Sequence, residues 1–232
     1  MWRAVLFLLC TLLPIAACTG SGDDEPVTTN SEGRRFLALG DSYTIGESVT
    51  ARDRWPVQLA ALLAAEGIEM CAPQIIARTG WTTADLAGGI RRDVPAGPYD
   101  LVSLLIGVNN QYRGLSSERY REEFHGLIGQ AIGFAGGNAS RVIVLSIPDW
   151  GVTPFAEGRD RALIGREIDA FNAINRDEAD RAGARYVDIV ADSREATANP
   201  ALTASDGLHP SGELYARWAA RALPEARAAL GS

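Results

Sequence analysis

Five short apolar runs, at residues 36–39, 74–77, 101–106, 142–147 and 186–190, are separated by longer segments with helical spacing, and this alternation limits the fold more than any other feature of the chain. Apolar runs of strand length joined by crossovers pair in parallel, and a parallel sheet has to be covered by helices on both faces. The helical segments fit that arrangement. Val57, Leu59, Leu62 and Leu63 follow Trp55-Pro56, where proline suits a first helical position. Residues 160–182 carry Leu163, Ile164, Ile168, Phe171 and Ile174 on one stripe, with Gly183 as the stop. A last helix is predicted over 212–223, ended by Pro224. The predicted fold class is α/β, a three-layer α/β/α domain with a five-stranded parallel sheet and its ligand site beyond the carboxyl ends of the strands.

The amino terminus reads as a targeting segment. Arg3 precedes an apolar run, residues 4–13, that is too short to span a bilayer. The following Ile15-Ala16-Ala17-Cys18 resembles a bacterial lipobox, in which the cysteine thiol receives lipid. The expected organisation is a signal peptide over 1–17, a tether over 18–33 that begins at the lipidated Cys18, and a globular domain over 34–232. Residues 19–33 are polar apart from Val27, so nothing there offsets the entropy of ordering. A tether of that kind holds the domain roughly 20 Å from its lipid. The expected location is the bacterial cell envelope, exported and membrane-anchored. Cys71 is then the one cysteine left in the domain, and it reads as a small buried hydrophobe.

Charge excludes further classes. All 22 basic residues are Arg, so mechanisms that need a lysine amine are closed to this chain. A net charge of −7 with no basic cluster argues against a nucleic-acid partner.

Chemistry concentrates at two places. The first apolar run ends in Leu39-Gly40-Asp41-Ser42-Tyr43-Thr44-Ile45-Gly46, a glycine-flanked turn that sets the Ser42 hydroxyl just past a strand tip. Alone, such a serine is most often a cap or turn residue. Near the other end stands Asp206-Gly207-Leu208-His209-Pro210, where a carboxylate three residues before a loop histidine can orient the ring as a base for a serine nucleophile. The other histidine, His125, lies among Glu122, Glu123 and Phe124 and reads as a solvated helical residue.

Taken with two further blocks, the sequence resembles the GDSL, or SGNH, hydrolase family. The family's serine falls on Ser42, its glycine on Gly80 in Arg78-Thr79-Gly80-Trp81, its asparagine on Asn109 in Gly107-Val108-Asn109, and its histidine on His209, in the family's order. The resemblance covers about residues 35–223 and implies a flavodoxin-like sheet. It also implies an acyl-enzyme route with Ser42, Asp206 and His209 as catalytic residues, and an oxyanion hole made by the Ser42 and Gly80 N–H groups with the Asn109 amide. It calls for no metal or cofactor. One departure stands in block three, where Asn110 follows Asn109 in place of a frequent aspartate; it leaves open how that loop is braced.

Trp81, Tyr112, Asp149, Trp150 and Phe155 follow predicted strands and are candidates for the pocket wall, although aromatic loop residues more often close a domain edge. Asn138-Ala139-Ser140 matches a glycosylation triplet and reads as a bare loop in a bacterial lipoprotein. The leading expectation is hydrolysis of a small acyl ester by a carboxylesterase, thioesterase or lysophospholipase. A deacetylase or acyltransferase acting on envelope polysaccharide is the alternative, and a ligand-binding lipoprotein without catalysis comes third. A small-molecule or envelope ester is the expected partner, with the membrane reached through the anchor, and the expected state is a monomer.

Overall fold

The computed structural model describes residues 33–231. The signal segment, Cys18 and the tether up to residue 32 lie outside the described residues. Five strands form one parallel sheet in the order β2-β1-β3-β4-β5: β1 Phe36–Asp41, β2 Gln74–Arg78, β3 Leu101–Leu105, β4 Val142–Leu145 and β5 Arg185–Val187. The three-layer α/β reading of the sequence is therefore correct. Every residue of β1, β3 and β4 is buried, which is why these strands read as unbroken apolar runs, whereas the outer strands β2 and β5 are only partly covered.

Helices lie on both faces. The helix α1 (Ser42–Ile45) is a single turn directly after β1, and α2 (Trp55–Ala65) follows, with Pro56 in its first turn. Then come α3 (Thr83–Asp93), α4 (Val108–Tyr112), α5 (Ser117–Phe134), α6 (Arg161–Ala182), α7 (Val190–Arg194) and α8 (Gly212–Ala229). The pair α2 and α8 packs together, while α5 packs against α3, α6 and β3. Among the described residues no helix is long and apolar enough to cross a membrane.

Several element ends differ from the sequence expectation, most by one or two residues, and three of these differences have a local reason. The fourth strand closes at Leu145 because the Ser146 side chain turns to the Ile189 N–H and the Ile147 N–H is taken by Asn172. The fifth closes at Val187, where the Asp188 carboxylate accepts from the Val190 N–H and starts α7. The last helix runs through Pro224 to Ala229. Proline forfeits one backbone bond, but the turn beyond it buries Ala226, Ala229 and Leu230 against the core. By contrast α6 keeps its expected ends, with the Asp160 carboxylate accepting from the Leu163 N–H and Gly183 at φ +72°.

In the 2-1-3-4-5 order the chain steps from β1 outward to β2, then crosses back to β3 on the other side of β1. Ligand sites of such sheets lie beyond the carboxyl ends of the strands flanking that reversal. Here those strands are β1 and β3, which end just before Ser42 and Asn109.

Candidate active site

The turn from β1 into α1 is tight enough to demand glycine at one position. A Cβ on Gly40 would come within 2.1 Å of Thr44 Oγ1 and 2.4 Å of the Leu105 carbonyl oxygen, so only glycine lets α1 fold back over the strand. Asp41 caps the turn, its Oδ1 accepting from the Tyr43 N–H at 3.0 Å. Ser42 is the first residue of α1, buried to 4% exposure. Its N–H lies among the donors that a helix start leaves without an intrahelical partner.

The loop from residue 203 to 210 brings His209 to it. This loop is closed on itself: Thr203 bridges Pro210, and the Ala204 N–H donates to the His209 carbonyl at 2.7 Å. Inside it, Asp206 Oδ1 accepts from the Leu208 and His209 N–H groups at 2.9 Å each. Asp206 Oδ2 lies 2.6 Å from His209 Nδ1, and His209 Nε2 lies 2.9 Å from Ser42 Oγ. A carboxylate can only accept, so Nδ1 carries the proton, and Nε2 is left as the acceptor facing the serine hydroxyl. Burial works to raise the Asp206 pKa; hydrogen bonds from Ser48, His209 and the two backbone N–H groups outweigh it and hold the carboxyl well below the usual range. The His209 ring is buried against Tyr43, centroids 5.2 Å apart.

Gly80 and Asn109 are set on the same rim by register. Asp41 pairs with Arg78 across β1 and β2, and Gly40 pairs with Leu105 across β1 and β3. Asn109 lines one cavity with Ser42 and His209, and its amide donates to the Trp81 carbonyl at 2.9 Å, leaving its second hydrogen for a ligand. Gly80, at φ +80°, adjoins the rim without lining that cavity. Its carbonyl accepts from Arg113 Nη2 at 2.5 Å, which fixes the peptide that carries the Trp81 N–H. The brace left open at Asn110 is a reciprocal one. Buried Asn110 accepts from the Thr83 N–H at 3.0 Å and donates to Thr83 Oγ1 at 2.7 Å, tying the Asn109 loop to the start of α3.

The cavity holds about 130 Å³ and is walled by Tyr43, Val108, Tyr112, Trp150, Phe155 and Leu208. Of the five pocket candidates, Tyr112, Trp150 and Phe155 therefore stand at the wall and two do not. Trp81 lies over Gly89 on α3, where a Cβ would meet its ring at 2.3 Å. Asp149 points inward, paired with Arg194 at 2.9 Å and capping the turn that starts at Trp150. Trp150 is pinned by a 2.7 Å bond from its Nε1 to Gln111 Oε1. Tyr112 and Trp150 also line a separate open groove of about 410 Å³, flanked by Gln111, Arg159 and Glu167. A larger cleft of about 850 Å³ lies against α6 and α7 and is lined by neither Ser42, Asn109 nor His209; its Arg176–Asp188 and Arg194–Asp169 pairs satisfy one another.

His125 is on α5, exposed and 3.0 Å from Glu178, apart from this site. The Cys71 sulfur is half-buried and lies 3.1 Å from the Gly33 carbonyl oxygen. Among the described residues no three His, Cys, Asp or Glu side chains are grouped so as to hold a metal ion. Sequence reasoning missed Tyr43, Val108 and Leu208, each adjacent to a motif residue, and Ser48, whose contact with Asp206 spans 158 positions.

Asp41 has a thermodynamic consequence. It is fully buried, its Oδ2 has no hydrogen-bond partner among the described residues, and burial pushes its pKa up to about 7 despite the Tyr43 N–H. The native state then prefers the protonated acid while the unfolded chain ionises near ~3.9. Stability from this residue is full below about pH 4, declines as pH rises towards about 7, and is flat above. Asp41→Asn should remove that slope and stabilise the protein at pH 8 by on the order of a few kcal/mol, with little change at pH 4. Urea unfolding at both pH values checks this; parallel pH dependence in variant and wild type would contradict it.

The GDSL-like lipase/acylhydrolase family model matches residues 38–217. No curated protein matches the sequence significantly. Solved structures similar in fold include an acetylxylan esterase from Geobacillus stearothermophilus, 22% identical with TM-score 0.66, covering 84% of this chain and 94% of that one. TesA is 18% identical with TM-score 0.63, covering 83% and 97%. The psychrotrophic esterase EstA from Pseudoalteromonas sp. is 14% identical with TM-score 0.62, covering 86% and 100%.

Proposed function

The chain belongs to the GDSL-like lipase/acylhydrolase family and is a serine ester hydrolase, and from that premise we propose that Ser42 is its nucleophile, His209 its general base and acid, and Asp206 the group that orients the ring. The observation that carries this reading is the unbroken row Asp206 Oδ2, His209, Ser42 Oγ, with contacts of 2.6 and 2.9 Å opening on a cavity. Ser42 Oγ attacks the ester carbonyl as its proton passes to Nε2, and His209 returns that proton to the leaving alcohol. Water then cleaves the acyl-enzyme by the same path. The tetrahedral oxyanion is held by the Ser42 and Gly80 N–H groups and the free Asn109 amide hydrogen.

The acyl group of the proposed substrate is short. A cavity of about 130 Å³ lies well below the ~300–1,000 Å³ of drug-sized sites, and the ring of Phe155 helps close it. Across p-nitrophenyl esters, kcat/KM should peak at about two to four acyl carbons and be at least ~tenfold lower by about eight, because each misfitted methylene costs binding in the transition state. Phe155→Ala should move the peak to longer chains. A rising series to dodecanoate in wild type would overturn the short-acyl reading.

A second reading is favoured by the open groove lined by Tyr112 and Trp150, whose aromatic faces and polar flanks Gln111, Arg159 and Glu167 suit a sugar ring carrying the acetyl group. Acetate release from an acetylated glycan at a higher kcat/KM than from a simple acetate ester would select this polysaccharide deacetylase.

The lipid anchor on Cys18 is part of the same proposal and rests on Ile15-Ala16-Ala17-Cys18 with the polar stretch behind it. Two or more acyl chains hold a protein stably at a membrane. Wild-type protein should fractionate with membranes, whereas Cys18→Ser is released or unprocessed. An unmodified Cys18 in mature protein, read by mass spectrometry, would sink the anchor.

A further inference from the structure

We propose that Ser48 is a positioning residue of the active site, held in a left-handed backbone conformation so that its hydroxyl clamps Asp206 from the side of the nucleophile's own loop. The inference rests on the assignment of Ser42, His209 and Asp206 above and adds a fourth member to that row.

Three observations meet at this residue. Ser48 Oγ donates to Asp206 Oδ2 at 2.6 Å, the same oxygen that accepts from His209 Nδ1. With Oδ1 taken by the Leu208 and His209 N–H groups, the carboxylate has four donors and a fixed plane. Ser48 also stands at φ +65°, a region that non-glycine residues rarely occupy and that persists only where surroundings enforce it. Those surroundings are the nucleophile turn itself. The Glu47 N–H donates to the Ser42 carbonyl at 3.0 Å, the Val49 N–H to the Gly46 carbonyl at 3.3 Å, and Thr79 Oγ1 hydrogen-bonds the Glu47 carboxylate. Asp206 reaches the serine only through His209, whereas Ser48 joins the two loops directly. The strained turn therefore sets the distance between nucleophile and base from both ends of the row.

The chemical role follows from what the hydroxyl does to the carboxylate. By donating to Oδ2 it draws off negative charge and, with the backbone donors on Oδ1, fixes the carboxylate plane along which the ring is set. Without it the plane loosens, which costs turnover, while the fuller charge left on Oδ2 favours the imidazolium and moves the acid limb of the profile to higher pH. The other titratable groups near the row are Asp41 and Tyr43 before and in α1, Glu47 in the same turn, Asp149 after β4 and Tyr215 on α8. They are unchanged in any Ser48 variant, so they leave the difference between variants untouched.

Two substitutions separate positioning from structure. Ser48→Gly removes the hydroxyl and relieves the backbone, so melting should stay at or above wild type. Its kcat should fall roughly five- to thirtyfold, as expected where only part of a charged hydrogen bond reaches the transition state, with KM little changed. The acid limb of its kcat/KM profile should move to higher pH. Ser48→Thr keeps the hydroxyl and places a β-branch at φ +65°, so its cost should fall on melting while the acid limb stays where wild type has it. Labelling of Ser42 by a fluorophosphonate, run alongside, reports on the underlying assignment. If Ser42 is labelled normally and Ser48→Gly has wild-type kcat and acid limb, the clamp is overturned and the assignment survives. If Ser48→Gly and Ser48→Thr lose kcat equally with both acid limbs unmoved, the residue only shapes the loop, and the inference is equally overturned. If Ser42 is not labelled at all, the assignment beneath it fails first.

Discussion

Ser42→Ala and His209→Ala are each expected to lower kcat by at least ~10⁴-fold, and the double variant should be scarcely worse than either, because groups that act as one unit are not additive. The geometry gives the reason: Nε2 lies 2.9 Å from Oγ, and among the described residues neither atom has another hydrogen-bond partner to take the proton in transit. Asp206→Asn would keep an oxygen for the two backbone donors but present an N–H to Nδ1. It should therefore lower kcat by disfavouring the working tautomer, though by less than losing the ring. Because hydrogen bonding holds Asp206 well below the usual carboxylate range, it stays ionised at neutral and mildly acidic pH. Activity should fall on acidification with no separate acid step from the Asp206 carboxylate. Steady-state kinetics across pH for the wild type and the four variants checks this. Additive losses in the double variant would mean that serine and histidine act independently.

Asn109→Ala is expected to cost about 100- to 1,000-fold in kcat with a much smaller change in KM, since the amide meets its ligand mainly once the oxygen is anionic. One amide hydrogen is already committed to the Trp81 carbonyl at 2.9 Å. That bond aims the second hydrogen and makes the donor preorganised, so little is reorganised when charge develops. It also means that the variant loosens the Trp81 peptide, and a melting curve run beside the kinetics separates the two effects. A neutral kcat would remove Asn109 from the site.

The sheet was legible because its central strands are buried on both faces, so a run such as residues 36–39 has no polar residue to blur it. Strand ends were less legible where polar side chains replace ladder partners, as Ser146 and Asp188 do. Pro224 misled for a different reason, since the cost of one helical bond is local and visible in sequence while the burial of Ala229 and Leu230 is not. At the site, Ser42 and His209 stood out as motif residues, and Asp206 could be named because its partner is three residues away. Ser48 carried no such signal, as only the fold brings it to Asp206. Asp149 looked like a wall residue beside Trp150, yet the loop turns it towards Arg194, a partner 45 positions on.

The central claim is that Ser42 is a nucleophile made reactive by His209, and covalent labelling tests it most directly. Incubated with a fluorophosphonate and digested, the wild-type protein should carry one adduct, on Ser42, with activity lost in proportion to labelling. His209→Ala should label far more slowly although Ser42 is intact. An adduct on any other residue, or equal labelling rates with and without His209, would contradict the account.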